Sequence, residues 1–240
     1  MTTLARAPLY ARAEQELRAR IAAGEWKPGQ ALPTEAALSA QLGISQGTLR
    51  RALGVLEAQR LIERRQGIGT YVTQATSERA LFHFFRAEAP DGGRITPTSQ
   101  LHRLETKPAR PEEAEALVLP RAARVHRLFR QRFVTGMAAI VEEIALPEAL
   151  FPAFHLPVGV ELTDELYVHY QRHHGCTVMR VTEKLSAMAA PAGIAAMLGR
   201  AAGDPVLHIA RIAFDVMDRP VERRLSWMET SALRYAIELR

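Results

Sequence analysis

Residues 32–72, LPTEAALSAQLGISQGTLRRALGVLEAQRLIERRQGIGTYV, constrain this chain more than any other stretch. Thr34 stands where it can N-cap a helix over 35–42, with Glu35 in the first turn, where a carboxylate meets the positive end of the helix dipole. Gly43 ends that helix and Ser45 caps the next, 46–60, in which Leu49, Ala52, Leu53 and Leu56 make one apolar stripe. A further helix is predicted over 9–23, with Leu9, Tyr10, Ala13, Leu17 and Ile21 on its buried side and Gly24 as its stop. After residue 60, LIERRQGIGTYV reads as a hairpin, with strands over 61–64 and 70–72 around Gln66-Gly67-Ile68-Gly69. Two helices at a tight turn followed by a basic, glycine-tipped hairpin predict a winged helix-turn-helix.

Such a unit places the start of its last helix in a DNA major groove and its hairpin against the flanking backbone. Gln46, Gly47, Thr48 and Arg50 occupy those first turns. Arginine reads guanine in a bidentate way and glutamine reads adenine. Arg51, about 100° round the helix from Arg50, is left to phosphate or to the neighbouring helix. Gly47 costs the helix about 1 kcal/mol relative to alanine, and is either a point of close approach to DNA or a tolerated defect. In the hairpin, Arg64 and Arg65 supply charge, and Gln66, Gly67, Gly69 and Thr70 form a tip whose backbone N–H groups can approach phosphate. The alternative is a surface hairpin with a flexible tip. Charge leans the same way: residues 1–75 carry ten Lys and Arg against six Asp and Glu, and the remaining 165 carry 21 against 20.

The N-terminal residues resemble the DNA-binding domain of the GntR family of bacterial transcription regulators. The resemblance rests on Pro28-Gly29, Leu32-Pro33-Thr34-Glu35, Leu38, Gly43-Ile44-Ser45, Thr48-Leu49-Arg50-Arg51-Ala52-Leu53, Leu61-Ile62 and the run from Arg65 to Val72. It implies operator binding through Thr34, Ser45, Arg50 and the wing. Two positions depart from it: where the family commonly has arginine after the Thr-Glu pair and after the capping serine, this chain has Ala36 and Gln46.

Residues 76–98 read as a linker, with a polar start, an aromatic patch (Phe82, Phe84, Phe85) and a turn-rich APDGGR. The patch is expected either to staple the two parts together or to pack into the nearest core. From 99 onward strands and short helices alternate. Strands are predicted over 101–106, 124–134, 137–146, 177–188, 206–217 and 221–230, with 124–134 and 137–146 a hairpin across Thr135-Gly136 and the last two a hairpin around Asp218-Arg219-Pro220, and helices over 111–117, 162–174 and 191–198. Strands that mostly meander argue an antiparallel sheet and an α+β class. Period two puts Leu128, Arg130, Arg132 and Val134 on one face with Phe129 and Phe133 opposite, and puts Glu183 with Met179, Val181 and Leu185. Charged groups on such faces pair with each other across the sheet or meet a ligand.

This segment looks like the effector-binding (UTRA) domain of the HutC subfamily, through Arg130-Gln131-Arg132, Val141-Glu142, Leu146-Pro147, Leu166-Tyr167, Gly175, Glu183, 196–199, 203–207, Arg211, 219–222 and Arg234-Tyr235. The resemblance implies a chorismate-lyase-like fold that dimerises and binds a small anionic metabolite. Arg130 and Arg132 would be the anion clamp, and Glu142, Tyr167, Glu183, Glu222 and Tyr235 its polar surroundings. Where the family often has a phosphate-contacting serine, this chain has Glu165, which argues against a sugar phosphate and leaves an organic acid or an amino-acid derivative open.

Other classes find less support. His169, His173 and His174 carry the i, i+4 spacing of metal ligands without a carboxylate or cysteine beside them, so a solvated helix face is expected and no metal or other cofactor. The single cysteine, Cys176, excludes a disulfide framework, and no nucleophile motif is present. No apolar run has the length of a membrane span, and the N-terminal residues are charged where a signal peptide is apolar, so a cytoplasmic protein is expected. The expectation is a homodimeric, ligand-responsive repressor of pseudo-palindromic double-stranded DNA. Two alternatives stay open: a lyase-type enzyme domain fused to a DNA-targeting domain, and an architectural DNA protein without sequence preference.

Overall fold

The computed structural model describes residues 7–78, 84–162 and 165–237. Its first three helices are α1 (Leu9–Ala22), α2 (Glu35–Leu42) and α3 (Gln46–Ala58), followed by a hairpin of β1 (Ile62–Arg65) and β2 (Gly69–Val72). Local chemistry sets these boundaries. The Thr34 side chain accepts from the Ala37 N–H at 3.2 Å and the Ser45 Oγ accepts from the Thr48 N–H at 3.2 Å, each satisfying a donor that the helix start leaves open. Gly43 turns the chain between α2 and α3 at φ 62°, a left-handed conformation that glycine adopts without a Cβ clash. Leu17, Ile21, Trp26, Leu38, Leu49, Leu53, Leu56, Leu61 and Val72 close the core beneath. Helices α1 and α3 end two residues or fewer short of the expected limits, where Ala23 and Gln59 cap them.

The C-terminal part is an antiparallel sheet of six long strands in the order β4-β5-β6-β9-β8-β7. These are β4 (Thr98–Pro108), β5 (Arg124–Val134), β6 (Met137–Pro147), β7 (Val178–Ala189), β8 (Pro205–Asp215) and β9 (Pro220–Glu229). Three helices, α4 (Pro111–Ala116), α5 (Leu166–His174) and α6 (Ala192–Leu198), cover it, so the class is α+β as the sequence predicts. Helix α5 packs with Phe151 and Phe154 over Leu128, Ile144 and Val221, while α6 packs on the opposite face against Val141. Among the described residues no helix is long and apolar enough to cross a membrane.

Three features differ from the sequence reading. Strand β4 is longer at both ends than 101–106, because Thr98, Ser99 and Gln100 pair with Phe133, Arg132 and Gln131. A two-residue strand inside the expected linker, β3 (Ala87–Glu88), pairs with β10 (Arg234–Tyr235) near the end of the chain. Neither run has enough residues to show a period. Helix α5 begins at Leu166 rather than 162, with Glu165 in the cap position. Of the aromatic patch, Phe84 packs on the α5 side of the sheet and Phe85 on a smaller cluster with Ile140 and Met228; Phe82 lies outside the described residues.

The two parts touch. Val216 and Met179 pack against the N-terminal core, and Arg18 of α1 donates to the Val216 carbonyl at 2.9 Å. Gln171 of α5 grips the chain just after β2: its Oε1 accepts from the Ala75 N–H at 2.7 Å and its Nε2 donates to the Thr73 carbonyl at 3.3 Å.

Gly47 has a simple test. A Cβ built there meets nothing closer than the Ser45 Oγ at 4.0 Å, and its φ is not left-handed. Gly47→Ala is therefore expected to raise stability by about 0.5–1 kcal/mol. In a chain this size that lifts the thermal midpoint by about 2–4 °C per kcal/mol, readable by calorimetry. A lower midpoint would show that the fold itself needs the glycine.

Candidate functional site

Two groups of side chains stand out, one at each end of the molecule. The first is the exposed surface of α3 and the hairpin. Thr34, Ser45, Gln46, Gly47, Arg50, Arg64, Arg65, Gln66, Gly67 and Gly69 are exposed, and Thr48 and Thr70 partly so. Arg50 pairs through Nε with Glu35 Oε2 at 2.6 Å, which ties the first turn of α2 to α3. Arg64 reaches back from the hairpin, 3.6 Å from Glu57, and Arg65 lies 4.2 Å over the Tyr71 ring. Arg51 points the other way: its guanidinium sits 4.0 Å over Tyr10 of α1, so it braces α3 against α1. Ala36 is also exposed on this side of the motif, where an arginine would add charge.

The second group is a buried cage of charge on the α5 face of the sheet. Cross-strand register builds it. Arg130, Glu142 and Ser226 are neighbours on one rung of β5, β6 and β9, and Arg224, Arg211 and Glu183 are neighbours on the next rung of β9, β8 and β7. Glu142 accepts from Arg130 Nε at 2.7 Å and from Arg224 Nη1 at 3.2 Å. Arg224 also grips Glu222 side-on, at 2.9 and 2.7 Å, and Glu222 accepts the hydroxyls of Tyr167 at 3.0 Å and Tyr170 at 2.7 Å from α5. Arg211 Nε donates to Glu183 at 2.7 Å, and Glu183 accepts the Tyr235 hydroxyl. The short β3–β10 pair is what carries Tyr235 to this place.

Arg132 sits apart. It belongs to the last rung before a bulge in the β5–β6 pairing, between Arg132 and Phe133, where simple alternation ends. Its Nη2 donates to Glu165 at 2.7 Å, and the Phe85 ring lies 4.6 Å from its guanidinium. The Arg132 Nε and the Arg130 Nη1 are buried without a hydrogen-bond partner among the described residues. Arg132, Glu165, Tyr167, Arg211, Arg224 and Tyr235 line a cavity of about 40 Å³, closed over by Phe84 and Phe85.

Burial and charge compete at each group. Burial opposes ionisation of Glu142, but Arg130, Arg224 and Arg132 outweigh it and hold the carboxyl far below its ordinary range. Burial pulls the Arg132 guanidinium down to about 10, against the support of Glu165. Burial and then Glu222 push the Tyr167 hydroxyl up to about 12. A carboxylate so firmly ionised is a poor proton donor near neutral pH, and burial pushes the Cys176 thiol up to about 12, away from a thiolate. The cage suits binding of an anion better than bond-breaking chemistry.

The eight residues expected at an effector site fall into three bonded groups: Arg130, Glu142, Glu222 and Tyr167 joined through Arg224, Glu183 and Tyr235 with Arg211, and Arg132 with Glu165. Beside them stand Arg224 and Tyr170, which the sequence does not single out, and Arg211 and Phe85, which it names without a role at the site. A signal existed for one of them: in β9 the alternation Glu222, Arg224, Ser226 sets polar groups where a buried face should be apolar. The histidines of α5 stack with aromatic groups instead: His174 lies 5.4 Å from Phe154 and His169 lies 4.5 Å from His173.

Comparison with known proteins agrees with the fold. Residues 9–72 match the model of the bacterial regulatory proteins of the gntR family, and residues 93–234 match that of the UTRA domain. The chain is similar to the transcriptional regulator SmoD of Agrobacterium fabrum, at 26% identity over 97% of both chains. It is 33% identical to the histidine utilization repressor of Pseudomonas aeruginosa over 62% of this chain and 60% of that one. Among solved structures, the ligand-binding domain of a GntR-family regulator from Bordetella bronchiseptica superposes with a TM-score of 0.62 at 27% identity, covering 66% of this chain and 98% of that one.

Removing the shared carboxylate tests how tightly the cage is balanced. Glu142→Gln leaves Arg130 and Arg224 without their common counter-charge, and is expected to cost about 3–5 kcal/mol in urea unfolding at neutral pH. The unfolded carboxyl titrates near about 4.3, and the folded one lower. Its contribution is therefore complete above that pH and is lost as pH falls towards the folded value. Stability of the variant should fall less on acidification than that of the wild type.

Proposed function

This chain belongs to the gntR family of bacterial regulatory proteins, with a UTRA domain after its DNA-binding domain, and we propose that it is a repressor released from DNA by a small anionic metabolite. One observation carries the reading. Helix α5 lends Tyr167 and Tyr170 to the charged cage, and on its next turn Gln171 holds the chain that leaves β2 of the wing. A ligand that resets α5 thereby acts on the position of the DNA-reading surface. Both ends use one rigid element, so the effector needs only to prefer one placement of α5 over the other.

On DNA, Arg50 is the principal base reader. Its ion pair with Glu35 uses Nε and leaves the two Nη groups for a guanine edge. Gln46 and Thr48 lie beside it, while Arg64, Arg65 and the tip from Gln66 to Thr70 take the backbone. Arg51, engaged with Tyr10, supports α3 from behind. Two copies would present two such surfaces, which fits a pseudo-palindrome with half-sites about one helical turn apart. The cage would receive the anion through Arg132 and Arg130, whose unpaired N–H groups need an acceptor. A protein with these partners works in the cytoplasm.

The test is selection of binding sites from random duplex DNA, followed by affinity measurements on the selected site. Arg50→Ala should cost about 1–3 kcal/mol on that site and relax preference at one base pair. Arg64→Ala should weaken all sequences alike and lower the salt slope by about one. Absence of any selected sequence would favour an architectural role and sink the repressor reading. Gln171→Ala should leave DNA affinity near that of the wild type while blunting release by cell-derived ligand.

A further inference from the structure

We propose that Glu165 is a built-in occupant of the anion site: its carboxylate holds Arg132 in the unliganded protein, and the effector is a small monocarboxylate that takes its place. This rests on the effector-site reading above and names the chemistry of that site. Every other arginine of the cage has a carboxylate from the sheet itself. Arg130 has Glu142, Arg224 has Glu142 and Glu222, and Arg211 has Glu183, all fixed by strand register. The partner of Arg132 comes instead from the cap position of α5, outside the sheet.

The contact with Arg132 is also incomplete. Glu165 engages Nη2, and the buried Nε beside it has no hydrogen-bond partner among the described residues. A free carboxylate can lie side-on to the guanidinium and accept from both nitrogens, the stronger bidentate arrangement. That difference gives a ligand its advantage over the internal group. Space points the same way: the free volume beside Arg132 is about 40 Å³, room for a few water molecules, and departure of the Glu165 carboxylate adds to it.

Charge fixes the class. When Glu165 leaves, one buried positive charge loses its partner, and one negative charge restores neutrality. A dianion would bring a second charge up against Glu142, which also sits on this cavity. Phe85 above Arg132 and the Tyr167 and Tyr235 rings beside it offer apolar surface for the remainder of the ligand. The moved residue is the one that caps α5, so the exchange is felt first at the helix that holds the wing chain.

Chemical rescue tests this directly. Glu165→Ala opens the space of the lost carboxylate, and sodium acetate is titrated into the variant against sodium chloride at equal ionic strength. The thermal midpoint should rise by about 2–4 °C when acetate reaches roughly five times its dissociation constant. Wild type, whose site is filled, and the Arg132→Ala, Glu165→Ala double variant should show no such rise. Glu165→Gln, equal in volume and neutral, carries the comparison if the alanine variant does not fold; it should bind acetate more weakly than alanine but more strongly than wild type. No acetate-specific shift in either single variant overturns the internal occupant, and a larger shift with inorganic phosphate than with acetate overturns the monocarboxylate. Mass spectrometry of small molecules released by denaturing the wild-type protein separates the two readings. A bound metabolite found beside silent variants keeps the effector site and removes only the role of Glu165.

Discussion

Glu142 is the point on which the C-terminal domain balances. It is buried with Arg130 and Arg224 both donating to it, and Arg224 in turn holds Glu222, which receives two tyrosines from α5. Burying this many charges is a poor way to gain stability, because desolvation consumes most of the Coulomb attraction and well-packed apolar side chains do as well or better. The surrounding sheet shows the alternative in use. On the same face Leu128 and Ile144 pair as neighbours one rung away, with the ordinary chemistry of a core. That rung continues through Arg224, Arg211 and Glu183, so charge and core share it, with the charge at the β9-β8-β7 end.

Helix α5 gives that cage its reach. At about 1.5 Å rise per residue, Glu165 and Gln171 stand roughly 9 Å apart along one rigid rod. One end meets Arg132 and the other meets the chain at Thr73 and Ala75, immediately beyond the wing. A second contact, Arg18 on the Val216 carbonyl with Val216 inside the N-terminal core, comes from the β8–β9 turn rather than from α5. Among the described residues the N-terminal part is thus held through α5, through the β8–β9 turn and through Met179 of β7, and α5 is the contact that also lines the cavity. Movement of α5 with the β8–β9 turn fixed is a rotation about that turn, which changes orientation without separating the parts.

Legibility in the sequence followed the range of the interactions. Helix caps at Thr34 and Ser45 and the turn at Gly43 act over three or four residues, and the N-terminal fold could be read almost to the residue. The sheet could be read as strands and, at its two hairpins, β5–β6 and β8–β9, as neighbours, but no further: β4 begins early because its partner β5 is long, and the β3–β10 pair joins residues that are far apart in the chain. Arg130, Arg132 and Glu183 stand out in the sequence as charges on partly apolar faces, whereas Glu222 enters only through the family resemblance. Their assembly depends on the order β5-β6-β9-β8-β7, which no local pattern encodes. For that reason Arg211, though part of the resemblance, has no role in the sequence reading and Arg224 has no mention, each being an ordinary strand residue until the rung beside it is known.

The pair between Arg50 and Glu35 raises a question that magnitudes decide. Arg50 is 63% exposed in its side chain and Glu35 31%, so the pair is screened by solvent and is worth no more than about 1 kcal/mol. It therefore does little for stability, and DNA could break it cheaply. Its effect is on conformation: an arginine side chain loses up to about 2 kcal/mol of rotamer freedom when fixed. Glu35 sits in the first turn of α2, where the helix dipole already favours its charge, and can fix Arg50 in advance of binding. With Ala36 and Gln46 in place of two further arginines, the motif has fewer charges to spread over the operator. If Arg50 reads a base as proposed, holding it in place would raise the fraction of binding free energy that depends on the base sequence.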